Sequence, residues 1–175
     1  MLLVDLERGS RGRLWFGEPP NVPIVPGERL QVIIHGVRAI SPLRPHTLGI
    51  EIFMAIPVRP LYGLLGAIYT PAETDSLAID VAFTRIIQDV APGTLASRFH
   101  AVNAGLIIEY ATHVIRVAEN LLGNSGLAGT LEFKWAAHSP LYSSPIIFCH
   151  LAKKIIEILL ADDETRLRVN WVEFL

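Results

Sequence analysis

The sequence has very little cysteine and little charge of either sign. Cys149 is the only cysteine among 175 residues, which excludes a disulfide within the chain and a cysteine-rich metal site. Charged residues make up 18% of the chain, the net charge is −2, and the only adjacent basic pair is Lys153–Lys154. Because nucleic-acid binding needs a basic stripe that displaces counterions, we expect no nucleic acid among the partners.

The sequence also lacks a long uninterrupted apolar run. Its most apolar window, Ile52–Tyr69, is broken by several prolines and glycines, whereas a membrane-spanning helix needs about 20 predominantly apolar residues. The first residues, Met1–Glu7, carry Asp5 and Glu7 where a secretion signal has a basic region. We therefore expect no membrane partner and cytoplasmic residence.

Apolar residues, in contrast, are abundant. They make up 51% of the chain, and the mean hydropathy of +0.40 is high for a small soluble monomer, whose large relative surface demands polar cover. The length suits one domain covering residues 1–175. We expect this domain to form a homo-oligomer or to dock on another molecule.

Two segments near the C-terminus have the 3.6-residue period of helices with one wet face. The first helix is predicted to begin after Pro92-Gly93, with Thr94 or Ser97 as its N-cap, to show its helical period over Phe99–Leu122 and to end near Gly123. The second is predicted over Pro145–Leu160, with Ser144 as its cap and proline at the first helical position.

Most of the remaining chain reads as strands bounded by glycine or proline. A glycine-containing turn between the first two segments indicates a hairpin, and four prolines between residues 19 and 26 indicate an irregular extended link. In Leu131–His138 the residues Leu131, Phe133, Trp135 and Ala137 alternate with more polar ones, which predicts one apolar face. The predicted strands are Leu2–Leu6, Arg13–Phe16, Leu30–Val37, Thr47–Ile56, Leu64–Tyr69, Ser76–Ile87, Leu131–His138 and Arg166–Phe174.

This order of elements predicts an α+β fold. Strands come first, followed by alternating strands and helices, so the economical arrangement is a two-layer sandwich. We expect a mostly antiparallel or mixed sheet with two long helices on one face.

The sequence contains no strong catalytic motif. We find no glycine-rich phosphate loop, no His-Glu-x-x-His, no nucleophile elbow and no paired-cysteine metal site. No metal site is therefore expected, and the sequence leaves any cofactor unknown.

The histidines are the remaining candidates for chemistry. His138 ends a strand just before a helix N-terminus, where unpaired N–H groups can hold an anion. It is therefore a candidate site residue, and the alternative is an ordinary loop histidine. His35 lies in an apolar strand and His46 in a proline-rich stretch, so each is a candidate general base or a hydrogen-bonded structural residue. Glu109 and His113, one turn apart, fit an acid–base cluster or, more simply, a surface pair.

The stretch Gly63–Lys153 resembles formaldehyde-activating enzymes. The resemblance is carried by Gly63–Pro71, the strand Leu77–Ile86, the long helix, Trp135 and Ala152–Lys153, in that order. It implies a ribosomal protein S5 domain 2-like fold, a ring of two-layer subunits, a pterin-type carbon carrier between subunits and a catalytic histidine.

Two of the candidate histidines, His35 and His46, lie in the upstream region where the family's histidine would be sought. A related fold in translation factors contacts RNA or protein without chemistry. Two functions stay open. The first is an oligomeric small-molecule-binding protein. If this protein is catalytic, we expect a lyase that acts on a one-carbon or carbonyl substrate. The alternative is a non-catalytic structural or interaction domain that uses its apolar surface.

Overall fold

The computed structural model describes residues 1–5, 9–36, 46–57, 59–86 and 93–161. These residues form eight strands and two helices, most of them close to the predicted segments. The predicted strand Arg166–Phe174 lies outside the described residues. In chain order the elements are β1 (Leu2–Asp5), β2 (Arg11–Phe16), β3 (Glu28–His35), β4 (His46–Met54), β5 (Leu61–Pro71), β6 (Ser76–Phe83), β7 (Asn103–Ala104), α1 (Ile108–Leu122), β8 (Gly129–His138) and α2 (Pro145–Leu160).

All eight strands belong to one mixed sheet, in the order β1-β2-β4-β5-β8-β6-β3. Neighbours are antiparallel except β6 and β8, which run parallel. The short β7 pairs with the last two residues of β8, on the edge of β8 opposite β5. On this edge β6 pairs with the first half of β8 and β7 with its end. The structure thus confirms an α+β fold with a mixed sheet.

Both helices pack against the same face of the sheet and against each other. The core between the layers is apolar, and α2 is buried on most of its circumference. Even Lys154, from the basic pair noted in the sequence, is only 7% exposed and places its ammonium 2.6 Å from Glu157. Neither helix is long and apolar enough to cross a membrane in the part of the chain described.

The second face of the sheet is also partly covered, which the two-layer prediction missed. Chain between β2 and β3 and between residues 93 and 106 supplies a second apolar cluster against this face. Close approach is possible because Gly49 and Gly66 have no Cβ: one added there would lie 2.4 Å and 2.9 Å from Pro20 Cγ. The predicted proline-rich link between β2 and β3 therefore packs against the second face of the sheet.

The predicted start of the first helix is wrong, because the observed helix begins at least nine residues later. The helix begins at Ile108, and its N-cap position is Ile107, with no side-chain hydrogen bond to the helix. Gly105 has a φ of +82°, and the two residues before it form β7, so the backbone here is extended rather than helical. Ser97, a proposed cap, instead donates to the carbonyl of Thr94 in a turn.

The predicted single apolar face of β8 is also wrong. The pairing with β5 shifts register between Gly66 and Ala67, so β8 has one extra residue at a bulge. A one-residue offset reverses the alternation of side chains. Phe133 therefore packs beneath the helices, whereas Trp135 packs in the cluster on the second face.

Candidate functional site

The three histidines singled out by sequence do not come together. His35 ends β3 and His46 begins β4 at the same end of the sheet. Four strand spacings separate these strands, which places the two histidines roughly 19 Å apart. His138 lies at the far end of the ten-residue β8, roughly 30 Å away along the strand.

Each of these histidines has a different environment. His35 is exposed, and His46 is half-buried with its ring 5.9 Å from that of Phe16. His138 is buried, its Nδ1 lies 2.9 Å from the carbonyl oxygen of Gly105, and its ring meets Tyr110 edge-on. Burial lowers the pKa of His138, so the imidazole is held neutral.

In the loop after His138, the hydroxyl of Ser143 is fully engaged within the protein. Ser143 Oγ accepts the backbone N–H of Ser139 at 2.8 Å and donates to the carbonyl of Tyr62 at 2.7 Å. On α1, Glu109 is exposed and His113 is half-buried, and neither forms an ion pair with another described residue.

A buried carboxylate that the sequence analysis missed is the most unusual polar group of the described chain. Ile50 and Ile52 of β4 point toward the helices, so Glu51 between them points to the second face. Its side chain has no exposed surface. A charged group in that position must be paired or strongly hydrogen-bonded, because isolated burial costs several kcal/mol.

Three donors surround the Glu51 carboxylate. Oε1 accepts the backbone N–H of Leu95 at 2.7 Å and the hydroxyl of Tyr62 at 3.0 Å. Oε2 lies 3.2 Å from Nη1 of Arg13, which stands directly opposite Glu51 in the β2–β4 register. The same Nη1 donates to the carbonyl of Gly93. Strand β2, strand β5 and the chain after Gly93 are thereby joined through one side chain.

Burial dominates the electrostatics of this cluster. It raises the pKa of Glu51, and it outweighs the Leu95 N–H, the Arg13 charge and the Tyr62 hydroxyl, which all lower that pKa. Burial, followed by the nearby Glu51 charge, also raises the pKa of Tyr62 well above its ordinary value. Tyr62 therefore remains a neutral hydrogen-bond donor near pH 7.

A pocket of about 270 Å³ lies over this cluster. Its wall combines apolar side chains with Arg13, which keeps 23% of its side-chain surface exposed. Glu51 forms the floor and is itself out of reach of solvent, so it orients Arg13 rather than touching a ligand directly. The lining residues are Met1, Arg13, Trp15, Asn21, Val22, Glu51, Leu64, Gly93 and Thr94.

Two buried polar atoms at the pocket have no hydrogen-bond partner within the described ranges. They are Nε of Arg13 and Oγ1 of Thr94. The Thr94 hydroxyl sits close enough to Tyr62 to lower the pKa of the phenol, but the two groups lack hydrogen-bond geometry. Buried polar groups in proteins are nearly always paired, so two unpaired atoms in residues that line one pocket distinguish this pocket from the rest of the described surface.

The sequence did contain a signal for this site. Glu51 is the only charged residue in the apolar run Leu48–Ile56, and Arg13 stands in the strand that pairs with it. A lone charge in such a run is either exposed on one face or paired in the interior. The described residues contain no group of histidine, cysteine, aspartate and glutamate side chains placed to hold a metal ion.

Comparisons of the chain with family models, with curated proteins and with solved structures find no match.

Proposed function

We propose that this protein binds a small organic molecule in the pocket over Glu51, with Arg13 as the principal polar contact. The observation that carries the proposal is the pair of unpartnered buried atoms, Arg13 Nε and Thr94 Oγ1, beside an open pocket. Leaving a buried donor unpaired costs about 1–3 kcal/mol, and a ligand acceptor would recover part of that cost.

The composition of the pocket supports the same function. Ligand sites are typically apolar concavities with a few well-placed polar groups. Here Trp15, Val22 and Leu64 supply apolar wall, while Arg13 and Thr94 supply hydrogen-bonding groups. The volume of about 270 Å³ lies just below the usual range of about 300–1,000 Å³, which favours a compact ligand.

A fragment screen by ¹H–¹⁵N NMR tests the proposal. We expect a subset of neutral and charged fragments to shift the amide signals of Gly93, Thr94 and Leu95 together with the Trp15 indole signal. Asn21→Trp should abolish these shifts, because Asn21 is exposed and lines the pocket, so the larger ring fills the opening. Ile24→Trp is the matched control, since Ile24 is exposed in the same segment and does not line the pocket.

If no fragment shifts these signals, or if Asn21→Trp leaves the shifts unchanged, the pocket is not a ligand site. The Glu51 cluster would then serve only to fasten the chain after Gly93 to the sheet.

Several finer expectations remain proposals. A lyase reaction on a one-carbon or carbonyl substrate, the resemblance to formaldehyde-activating enzymes and cytoplasmic residence stay predictions. Homo-oligomerisation rests on the high hydropathy of the chain, and native mass spectrometry tests it directly.

The alternative function, an interaction domain, is favoured by one observation. Phe99, Leu141 and Ile146 are large apolar residues with 61%, 61% and 66% of their surface exposed. A monomer in native mass spectra, combined with an inert pocket, would favour this alternative.

A further inference from the structure

The free edge of the Arg13 guanidinium suggests which chemical group the pocket takes, an inference that rests on the proposed function above. Nη1 is already engaged by Glu51 and by the carbonyl of Gly93. Nε is buried without a partner, and no described residue bonds Nη2. Nε and Nη2 share one edge of the planar group, so their N–H bonds point the same way.

The protein uses this same edge elsewhere. Arg59 Nε and Nη2 both donate to the carbonyl oxygen of Leu141, at 3.1 Å and 2.7 Å. The corresponding edge of Arg13 lacks such an acceptor. Two parallel N–H bonds match the paired oxygens of a carboxylate or a phosphate, and the pocket favours the singly charged carboxylate because its lining has Arg13 as its only cationic side chain, beside the acidic Glu51.

Glu51 fixes which edge is presented. Its Oε2 holds Nη1 from below, so rotation of the guanidinium is restricted and the Nε–Nη2 edge is left on the side without a partner. Because Nε is covered here, a carboxylate meets Nη2 first and reaches Nε when the atoms that cover it shift, while Glu51 keeps Nη1 in place. The 23% exposure of the Arg13 side chain gives the access that this encounter needs.

The remaining polar and apolar groups limit the ligand further. Thr94 Oγ1 is a third unpartnered group at the pocket, suited to donate to a carboxylate oxygen. Trp15 and Leu64 offer apolar surface to the body of the ligand. We propose that the pocket binds small monocarboxylates with a compact apolar or aromatic body, the carboxylate being held by Nε and Nη2 of Arg13.

Benzoate and benzamide form a matched pair of test molecules, since they differ only in the carboxylate and the neutral amide. At pH 7 and constant ionic strength, titrations followed by ¹H–¹⁵N NMR should show benzoate shifting the Arg13 Nε–H signal and the amides of Gly93 to Leu95. We expect benzamide to bind at least about tenfold more weakly, because charge-assisted bidentate hydrogen bonds are roughly twice as strong as neutral ones.

Arg13→Lys should weaken benzoate binding by at least about tenfold, because lysine keeps the charge and loses the planar pair of donors. Arg29→Lys is the control, since Arg29 is exposed and pairs with Glu132 on another part of the sheet. The comparison of benzoate with benzamide on the unaltered protein needs no variant, so it holds even if Arg13→Lys folds poorly.

The outcomes separate the two proposals. Equal or tighter binding of benzamide would overturn the carboxylate inference and leave the binding function intact. If neither benzoate nor benzamide binds, while other fragments still bind and lose their binding in Asn21→Trp, only the carboxylate inference is overturned. Failure of every fragment would overturn both.

Discussion

Replacing Glu51 with glutamine removes one charge from the centre of the buried cluster with almost no change in shape. The amide oxygen can keep the bonds from Leu95 and Tyr62, which both reach Oε1. The amide nitrogen then faces Arg13 Nη1, so two donors meet where a charge-assisted bond had been.

The expected loss follows from the burial of the two partners. Leaving a buried donor unsatisfied costs about 1–3 kcal/mol, and Glu51→Gln leaves two donors, the amide nitrogen and Arg13 Nη1, facing each other. Glu51 is fully buried but Arg13 keeps 23% exposure, and solvent screens part of the remaining charge. We therefore expect Glu51→Gln to lower the free energy of unfolding by about 2–3 kcal/mol at pH 7. For a protein of this size, the melting temperature should fall by roughly 5–10 °C.

Chemical denaturation measures the change directly, with Glu132→Gln as the control. Glu132 also pairs with cationic side chains, Arg29 and Lys134, but it is 27% exposed and its partners are more so. That substitution should cost less than about 1 kcal/mol. A loss below about 1 kcal/mol for Glu51→Gln, or an equal loss in both variants, would refute the argument that Glu51 anchors Arg13.

The pH dependence gives the same experiment a second readout. Since burial raises the pKa of Glu51, the folded protein holds this proton more tightly than the unfolded chain does. The contribution of Glu51 is therefore complete below the unfolded pKa near 4.5 and declines as pH rises through the folded pKa. The stability gap between the unaltered protein and Glu51→Gln should narrow from acid to neutral pH. A widening gap would mean that the Arg13 charge outweighs burial.

Two further predictions concern positions outside the pocket. Gly129→Ala should destabilise the fold by more than about 3 kcal/mol, because the added Cβ would lie 2.2 Å from the Thr70 carbonyl oxygen at a φ of +124°. Gly17→Ala, with a φ of +78° and open space, should cost only about 1 kcal/mol in the same denaturation assay; equal losses would contradict the steric argument. His138→Ala should cost about 2 kcal/mol through the lost bond to Gly105 and should leave fragment binding at Gly93 unchanged. Because burial lowers the pKa of His138, this residue should contribute its full stability above pH 6.5, the pKa of an unfolded histidine, and less as the pH falls. A stability difference between the unaltered protein and His138→Ala that does not change with pH would refute this prediction.

Local periodicity predicted much of the fold because it reports which face of an element is buried. The second helix was predicted with the bounds that the structure has, since Pro145 fixes its start and its apolar positions continue to Leu160. The first helix was predicted too long because its sequence pattern holds only from residue 107 onward. A two-residue strand and a positive-φ glycine before it leave almost no periodic signal.

The features that periodicity could not predict arise from contacts between distant segments. The bulge in β8 shifts its register by one residue, and nothing within that strand alone shows that Trp135 turns away from Phe133. The packing of Pro20 on Gly49 and Gly66 likewise joins three segments that are far apart in sequence. Strand order, set by such contacts, was accordingly beyond the sequence.

The candidate site was missed for a related reason. A search for catalytic motifs favours histidines, and here each of the three candidates lies in a separate part of the sheet. Glu51 and Arg13 are 38 positions apart and become partners only through the pairing of β2 with β4. Charged residues inside apolar strands are therefore the more informative signal in this sequence.

Stability alone gives little reason for the Glu51–Arg13 pair. Well-packed apolar residues in place of a buried ion pair are often neutral or stabilising, because two desolvated charges seldom regain their hydration energy. Among the described residues the cluster also leaves Arg13 Nε and Thr94 Oγ1 unpaired, which a purely structural arrangement would avoid. A pair that holds Nη1 of a guanidinium still at the wall of a pocket has a direct use, however, since a preorganised donor loses less entropy when its ligand binds. The binding function accounts for the burial of Glu51, the partial exposure of Arg13 and the unpaired atoms together.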